Sequence, residues 1–125
     1  MAQSITTLPA AIGTTVAEDT ANNASGHLNI DAAGSPTINT VEIDNTANNH
    51  AVYTKFYDAA APTVGTDAPE MILPCLAGVA VKYHWPDGLV GIFPTALSYA
   101  TVKEAGTGGT SSPDSSIPVS VLYTT

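Results

Sequence analysis

The side chains able to do chemistry are few and scattered. Three histidines, His27, His50 and His84, stand far apart, and Cys75 is the single cysteine. A structural zinc needs four nitrogen or sulfur ligands at close, regular spacing. The histidines therefore read as isolated surface or edge residues, and Cys75 as a small buried apolar one. Asp44, Asn45, Asn48 and Asn49 offer oxygens that suit calcium, but the EF-hand spacing with its bidentate glutamate is absent. A corner that bonds its own backbone calls for the same residue types. Glu18 and Asp19 are adjacent carboxylates, yet nothing in an acidic chain singles out a glycosidase pair. The run AGTGGTSS resembles a phosphate cradle but lacks the lysine and the strand-to-helix transition. Tyr83, Trp85 and Phe93 surround a Pro-Asp-Gly triplet; such aromatics form sugar platforms, fill cores or anchor interfaces. The expectation is a protein that is not an enzyme and that needs no cofactor and no metal.

Composition narrows the partners. The 125 residues make one domain, 44% hydrophobic but only 6% aromatic, so the core must rest on Val, Ile and Leu. Lys55, Lys82 and Lys103 are the only strong cations against eleven acids, for a net charge of −8. Gripping phosphates requires clustered Lys and Arg, so nucleic acid and anionic membrane are excluded as expected partners. A surface rich in hydroxyls and amides suits broad contacts with neighbouring chains, because little charge must be desolvated. The stretch MAQSITTLPAAIGTT has neither a basic nor a continuous apolar signal region. No segment approaches ~18 uninterrupted apolar residues. The expected site is the cytoplasm, or something assembled there.

The elements that must carry these residues read as β. Ile5, Leu8, Ile12 and Val16 are spaced like one helix face, but Pro9, Gly13 and the threonines oppose a helix. Residues 1–26 are expected to form an extended arm, with Ile5, Leu8 and Ile12 as anchors on a neighbouring subunit. Residues 27–125 form the expected sandwich domain. HLNI places Leu28 and Ile30 on one strand face. TINTVEIDN alternates Val41 and Ile43 against Glu42 and Asp44. The Asn-rich corner then turns the chain between antiparallel strands. In His50–Asp58, Val52, Thr54 and Phe56 face the core. Tyr53, Lys55 and Tyr57 form an amphipathic face for a sheet edge or another subunit. AAAPTVGTDAP is expected to cross between sheets, and Pro74 marks an edge strand. Val79, Val81 and Tyr83 alternate with Lys82 and His84. Pro86-Asp87-Gly88 reads as a tight turn, followed by strands at Leu97–Lys103 and Ile117–Thr125 around a Gly-rich loop. Seven or eight short antiparallel strands without a helix predict an all-β sandwich or jelly roll.

The order of turns carries a resemblance. DNTANNHAVYTKFYDAAAPTVGTDAPEMILPCLAGVAVKYHWPDGL resembles a pattern in small virion proteins of tailed bacteriophages. There an Asn-rich corner leads into a Tyr-x-Lys-x-Tyr-Asp strand, then Pro-Thr-Val-Gly-Thr, Asp-x-Pro, an apolar strand and a Pro-x-Gly-Leu turn. The resemblance spans Asp44 to Thr125, including the C-terminal VSVLYTT. It departs at Cys75 and Leu76, where a valine–proline pair is expected, and at Pro94. Residues 1–26 lie outside it. The resemblance implies a capsid decoration or cement subunit on the outer surface of a virion assembled in the host cytoplasm. It also implies a homo-oligomer, with a trimer expected, whose partners are the major capsid protein or other virion proteins. Tyr53, Lys55, Tyr57 and Trp85 join the arm residues as expected contacts. The alternatives are a tail, neck or fibre module and a carbohydrate-binding adhesin using Trp85.

Overall fold

The computed structural model describes residues 3–7, 14–31 and 35–125. Eight strands follow in order: β1 (Gln3–Thr7), β2 (Thr14–Asn22), β3 (Thr37–Asp44), β4 (Val52–Tyr57), β5 (Met71–Cys75), β6 (Ala80–Leu89), β7 (Ser98–Val102) and β8 (Ile117–Thr124). They form a five-stranded sheet, β1-β2-β8-β3-β6, and a three-stranded sheet, β5-β4-β7. Every pairing is antiparallel.

Period-two alternation builds the layer between the sheets. Ala17, Val41, Ile43, Ile117, Val119, Val121 and Tyr123 come from the larger sheet, and Val52, Phe56, Leu73, Cys75 and Tyr99 from the smaller; Ile30, Phe93 and Leu97 close one end. Phe56 lies 5.5 Å from Tyr99 and 6.5 Å from Phe93, ring centre to ring centre. A polar clasp also crosses this layer. Asn22 Nδ2 donates to Asp19 Oδ2 at 2.8 Å, Thr101 Oγ1 donates to Asn22 Oδ1 at 2.7 Å, and the Thr54 and Thr101 hydroxyls meet at 2.9 Å. Buried polar groups persist only when hydrogen-bonded, so this chain ties β2 to β7 and β4.

Several local expectations change. Residues 14–22 are not part of an arm separate from the sandwich. β2 lies between β1 and β8, with Ala17, Asp19 and Asn22 buried, so the boundary at residue 26 does not hold. HLNI makes no strand. Asn29 has φ 52°, which ends the extended run after the single His27–Tyr99 bridge; Ile30 is buried and Leu28 is exposed. Pro86-Asp87-Gly88 does not turn the chain between strands. Thr40 pairs with His84 and Ile38 with Leu89, so Asn39 alone faces Trp85–Gly88 and the triplet is a bulge inside β6. Gly88 has φ +75°, and a Cβ there would run into Thr37 Cγ2. AAAPTVGTDAP does not cross between sheets, because β4 and β5 are neighbours in one sheet.

The Asn-rich corner has a different task from the one expected. It carries the chain from the larger sheet (β3) to the smaller (β4) instead of joining paired strands. Asn45 Nδ2 donates to His50 O at 2.8 Å and Leu76 O at 3.0 Å, with Cys75 O at 3.4 Å. Asn48 donates to Asn45 Oδ1 and Ser115 O, both at 2.9 Å, and accepts from Ser115 N at 2.8 Å. Asp44 Oδ1 accepts from Thr46 N at 3.0 Å and Thr46 Oγ1 at 2.6 Å. The polar cluster thus binds three connections together.

Replacing Asn45 with Ala removes the amide donor from three carbonyls, His50 O, Cys75 O and Leu76 O, at two connections. It should lower the unfolding free energy by about 1–3 kcal/mol in urea titration, whereas exposed Asn49→Ala should stay within about 0.5 kcal/mol. His27 supplies a pH test. Burial lowers its pKa from 6.5, opposed by the Asp19 charge, and its Nδ1 sits 3.1 Å from the Tyr99 hydroxyl. Below pH 6.5 the unfolded chain takes up a proton that the folded chain refuses. Stability should therefore fall as pH drops from 6.5 towards the folded value and then level off. His27→Gln should flatten that part of the curve, leaving a separate loss at lower pH where the depressed carboxylates of Asp44, Glu104 and Asp114 protonate.

Candidate contact surface

The two outward faces of the sandwich differ in kind. β4 is the central strand of the smaller sheet, and its outward side holds Tyr53, Lys55 and Tyr57. Lys55 and Tyr57 are buried, as are their neighbours on β7, Ser98, Ala100 and Val102. The chain itself covers this side. Ser98 Oγ donates to Ala59 O at 2.7 Å, and Asp58 Oδ1 accepts from Thr95 N at 2.7 Å, so the connection before β5 is held down. The Gly-rich connection before β8 is tied from below, where the Lys55 ammonium donates to Gly106 O. Glu104 Oε1 accepts from Thr110 N and Ser111 N at 3.0 Å each, closing the same loop.

A lysine is seldom fully buried unless its ammonium is paired. Burial lowers the Lys55 pKa, and the nearby Glu104 charge pulls it back up. Burial likewise raises the Tyr57 pKa, with Asp67 adding to the effect, and the Tyr57 hydroxyl has no hydrogen-bond partner among the described residues. The expected contact face of Tyr53, Lys55 and Tyr57 is thus corrected. Lys55 bonds the Gly-rich loop, Tyr57 is buried, and only Tyr53 is half-buried.

Trp85 is also drawn inward. It stacks on Tyr83 at 6.3 Å and 15°, and both pack against the core. The Tyr83 hydroxyl donates to Pro74 O, joining β6 to β5 and so one sheet to the other. The pair seals the seam between sheets instead of standing out as a platform. Ile5, on β1, is 50% exposed. Leu8 and Ile12 lie outside the described residues.

The outward side of the five-stranded sheet is different: an open depression lined by Val16, Glu18, Thr40, Glu42, Lys82, His84, Ser120 and Leu122. Strand register orders these residues into rows. One row runs Thr6, Val16, Leu122, Thr40, His84, and the next Ser4, Glu18, Ser120, Glu42, Lys82. The first row is aliphatic and hydroxylic, and Thr40 Oγ1 meets His84 Nδ1 at 2.9 Å. In the second, Lys82 pairs with Glu42 at 3.0 Å, which partly balances the acids. Sequence reasoning missed this face because β2 was taken for an arm. The outward residues of β3, β6 and β8 carried the signal, as the polar half of each alternation.

Among the described residues, no three His, Cys, Asp or Glu side chains converge as for a metal ion, and no helix is long and apolar enough to cross a membrane. Comparisons with family models, with curated proteins and with solved structures gave no match to this chain.

Lys55→Met should keep the sandwich folded but release the Gly-rich loop. Limited proteolysis should then nick the chain between residues 104 and 112 faster than in the wild type, at unchanged circular dichroism. An unchanged nicking rate would show that the ammonium does not hold the loop.

Proposed function

We propose that this chain is a structural subunit of a tailed-phage virion, a capsid decoration protein that seats the outward side of its five-stranded sheet on the shell. One observation carries the reading: the described residues cover one outward sheet side with the chain's own loops and leave the other, larger one uncovered. The uncovered side is broad, carries an aliphatic pair at Val16 and Leu122, and has an internally matched charge pair at Glu42 and Lys82. Pairing Lys82 with Glu42 lowers the charge that binding must desolvate, while Glu18 adds a further acid to the face.

Three further features support the same reading. The resemblance between Asp44 and Thr125 points to virion accessory proteins. The clasp through Asp19, Asn22, Thr101 and Thr54 and the amide corner at Asn45 make a stiff body, as a cement subunit under outward pressure requires. The net charge of −8 suits a position outside the shell, away from packaged DNA. In this reading the partner is the major capsid protein, the location is the outer capsid surface, and the chain has no catalytic task.

Virions assembled with a Leu122→Glu variant test the proposal. A charge at the centre of the contact should cost about 2 kcal/mol or more, roughly a thirty-fold loss of affinity. Occupancy per particle should collapse while the purified variant keeps its fold. Thr107→Glu, on the loop-covered side, should leave occupancy unchanged. Equal occupancy for Leu122→Glu and the wild type would remove this face from the contact.

A further inference from the structure

His50, in the corner between β3 and β4, is held in one protonation form by its two ring contacts. Its Nδ1 stands 3.1 Å from Ala51 O, and a carbonyl oxygen only accepts, so Nδ1 carries the proton. Its Nε2 accepts the backbone N–H of Asp114 at 3.3 Å, so Nε2 carries none. The neutral Nδ1–H tautomer satisfies both contacts. The other tautomer fails at both, and the imidazolium fails at Nε2.

The Asp114 carboxylate stands beside the same nitrogen. Its Oδ2 lies 3.5 Å from His50 Nε2, and its Oδ1 is paired with the Lys103 ammonium. Hydrogen bonding to Lys103 holds the Asp114 carboxyl below the usual carboxylate range, against a smaller opposing effect of desolvation. Asp114 is therefore an anion throughout the interval of about pH 5 to 8 in which histidines ordinarily change charge. The other acids of these connections are engaged elsewhere: Asp44 accepts from Thr46, and Glu104 from Thr110 N and Ser111 N. The amides around the ring are neutral, with Asn45 donating to His50 O and Asn48 holding Ser115.

We infer that His50 is a proton-operated latch on the segment before β8, gripping the Asp114 backbone when neutral and the Asp114 side chain when charged. The proton comes from solvent, since the His50 side chain is 23% exposed and that of Asp114 63%. On taking it up, Nε2 becomes a donor. It can no longer accept from Asp114 N–H, and two N–H groups face each other. The new Nε2–H turns to Oδ2, and the carboxylate is then shared by His50 and Lys103. One hydrogen bond to the backbone is exchanged for an ion pair with the side chain of the same residue.

The segment leads into β8, the middle strand of the five-stranded sheet. Its next ties do not titrate: Ser115 N donates to Asn48 Oδ1 at 2.8 Å, and Ser115 O accepts from Asn48 Nδ2 at 2.9 Å. The register of β8 is thus kept while the backbone one residue upstream is let go. Acid loosens the Gly-rich connection at its β8 end, and Lys55 still holds it at Gly106. The latch stands apart from the proposed shell contact, which uses the opposite side of the molecule.

Nuclear magnetic resonance of the isotope-labelled full chain tests the latch. At about pH 8 the ring nitrogen shifts of His50 should report Nδ1–H, and a scalar coupling should cross the hydrogen bond from Asp114 N to His50 Nε2. On titration to about pH 5 the coupling should vanish, and the Asp114 amide should lose about five-fold in exchange protection. Both changes should follow the His50 ring and not that of His27. The Ser115 amide should keep its protection. His50→Gln retains an acceptor but takes up no proton, so its Asp114 protection should not vary with pH. An Nε2–H tautomer at about pH 8, or a coupling that survives at about pH 5, would overturn the inference. So would the same acid loss in folded His50→Gln, or a parallel loss at Ser115.

Discussion

The burial of Lys55 governs the distinction between the two faces. An ammonium on the central strand of a three-stranded sheet is tolerable only if something accepts its protons. Gly106 O does so, and Glu104 adds a favourable charge nearby. The Gly-rich connection therefore has to lie across the smaller sheet, where the connection at residues 58–70 also packs. These two connections are committed to one side of the molecule. Among the described residues, the outward side of the five-stranded sheet is left uncovered.

The polar residues that looked chemically suggestive serve this architecture. Asn45 and Asn48 tie the β3–β4 corner to the β5–β6 turn and to the segment before β8. Asp44 bonds Thr46. The lone thiol, Cys75, is buried against Val79 O and Ile43 O, and burial raises its pKa. Lys103 pairs with Asp114 and depresses its pKa. Hydrogen bonds spent in this way fix connections that would otherwise move, and a rigid outline is what a subunit acting through contacts requires.

Much of the fold was legible, for identifiable reasons. β3 and β8 alternate apolar and polar residues, and the pattern places them within a residue or two; β4 and β7 are placed as closely, although β7 is buried along its whole length. β2 was illegible because its alternation is inverted: Thr15, Ala17 and Asp19 face inward while Val16 faces outward. Its buried acid is satisfied by Asn22, three residues along, which pattern reading does not weigh. The roles of Lys55 and Tyr57 were misread because alternation separates the two sides of a strand without saying whether the second is covered. Only tertiary structure shows that the small-residue connection at 58–70 lies over it. Trp85 was placed beside a turn because Pro86-Asp87-Gly88 was taken for one, whereas a bulge keeps the strand in the sheet and the indole against the core.

The three lysines report on the three environments at once. Lys55 is buried, Lys103 is paired beside the loops, and Lys82 stands on the uncovered face. Amine-reactive footprinting of the free chain and of virions that carry it, read by mass spectrometry, tests the central claim most directly. The account predicts that Lys82 labels in the free chain and is protected on the particle, while Lys103 labels alike in both and Lys55 resists labelling throughout. Rapid labelling of Lys55 in the native free chain, or equal labelling of Lys82 in both states, would contradict it.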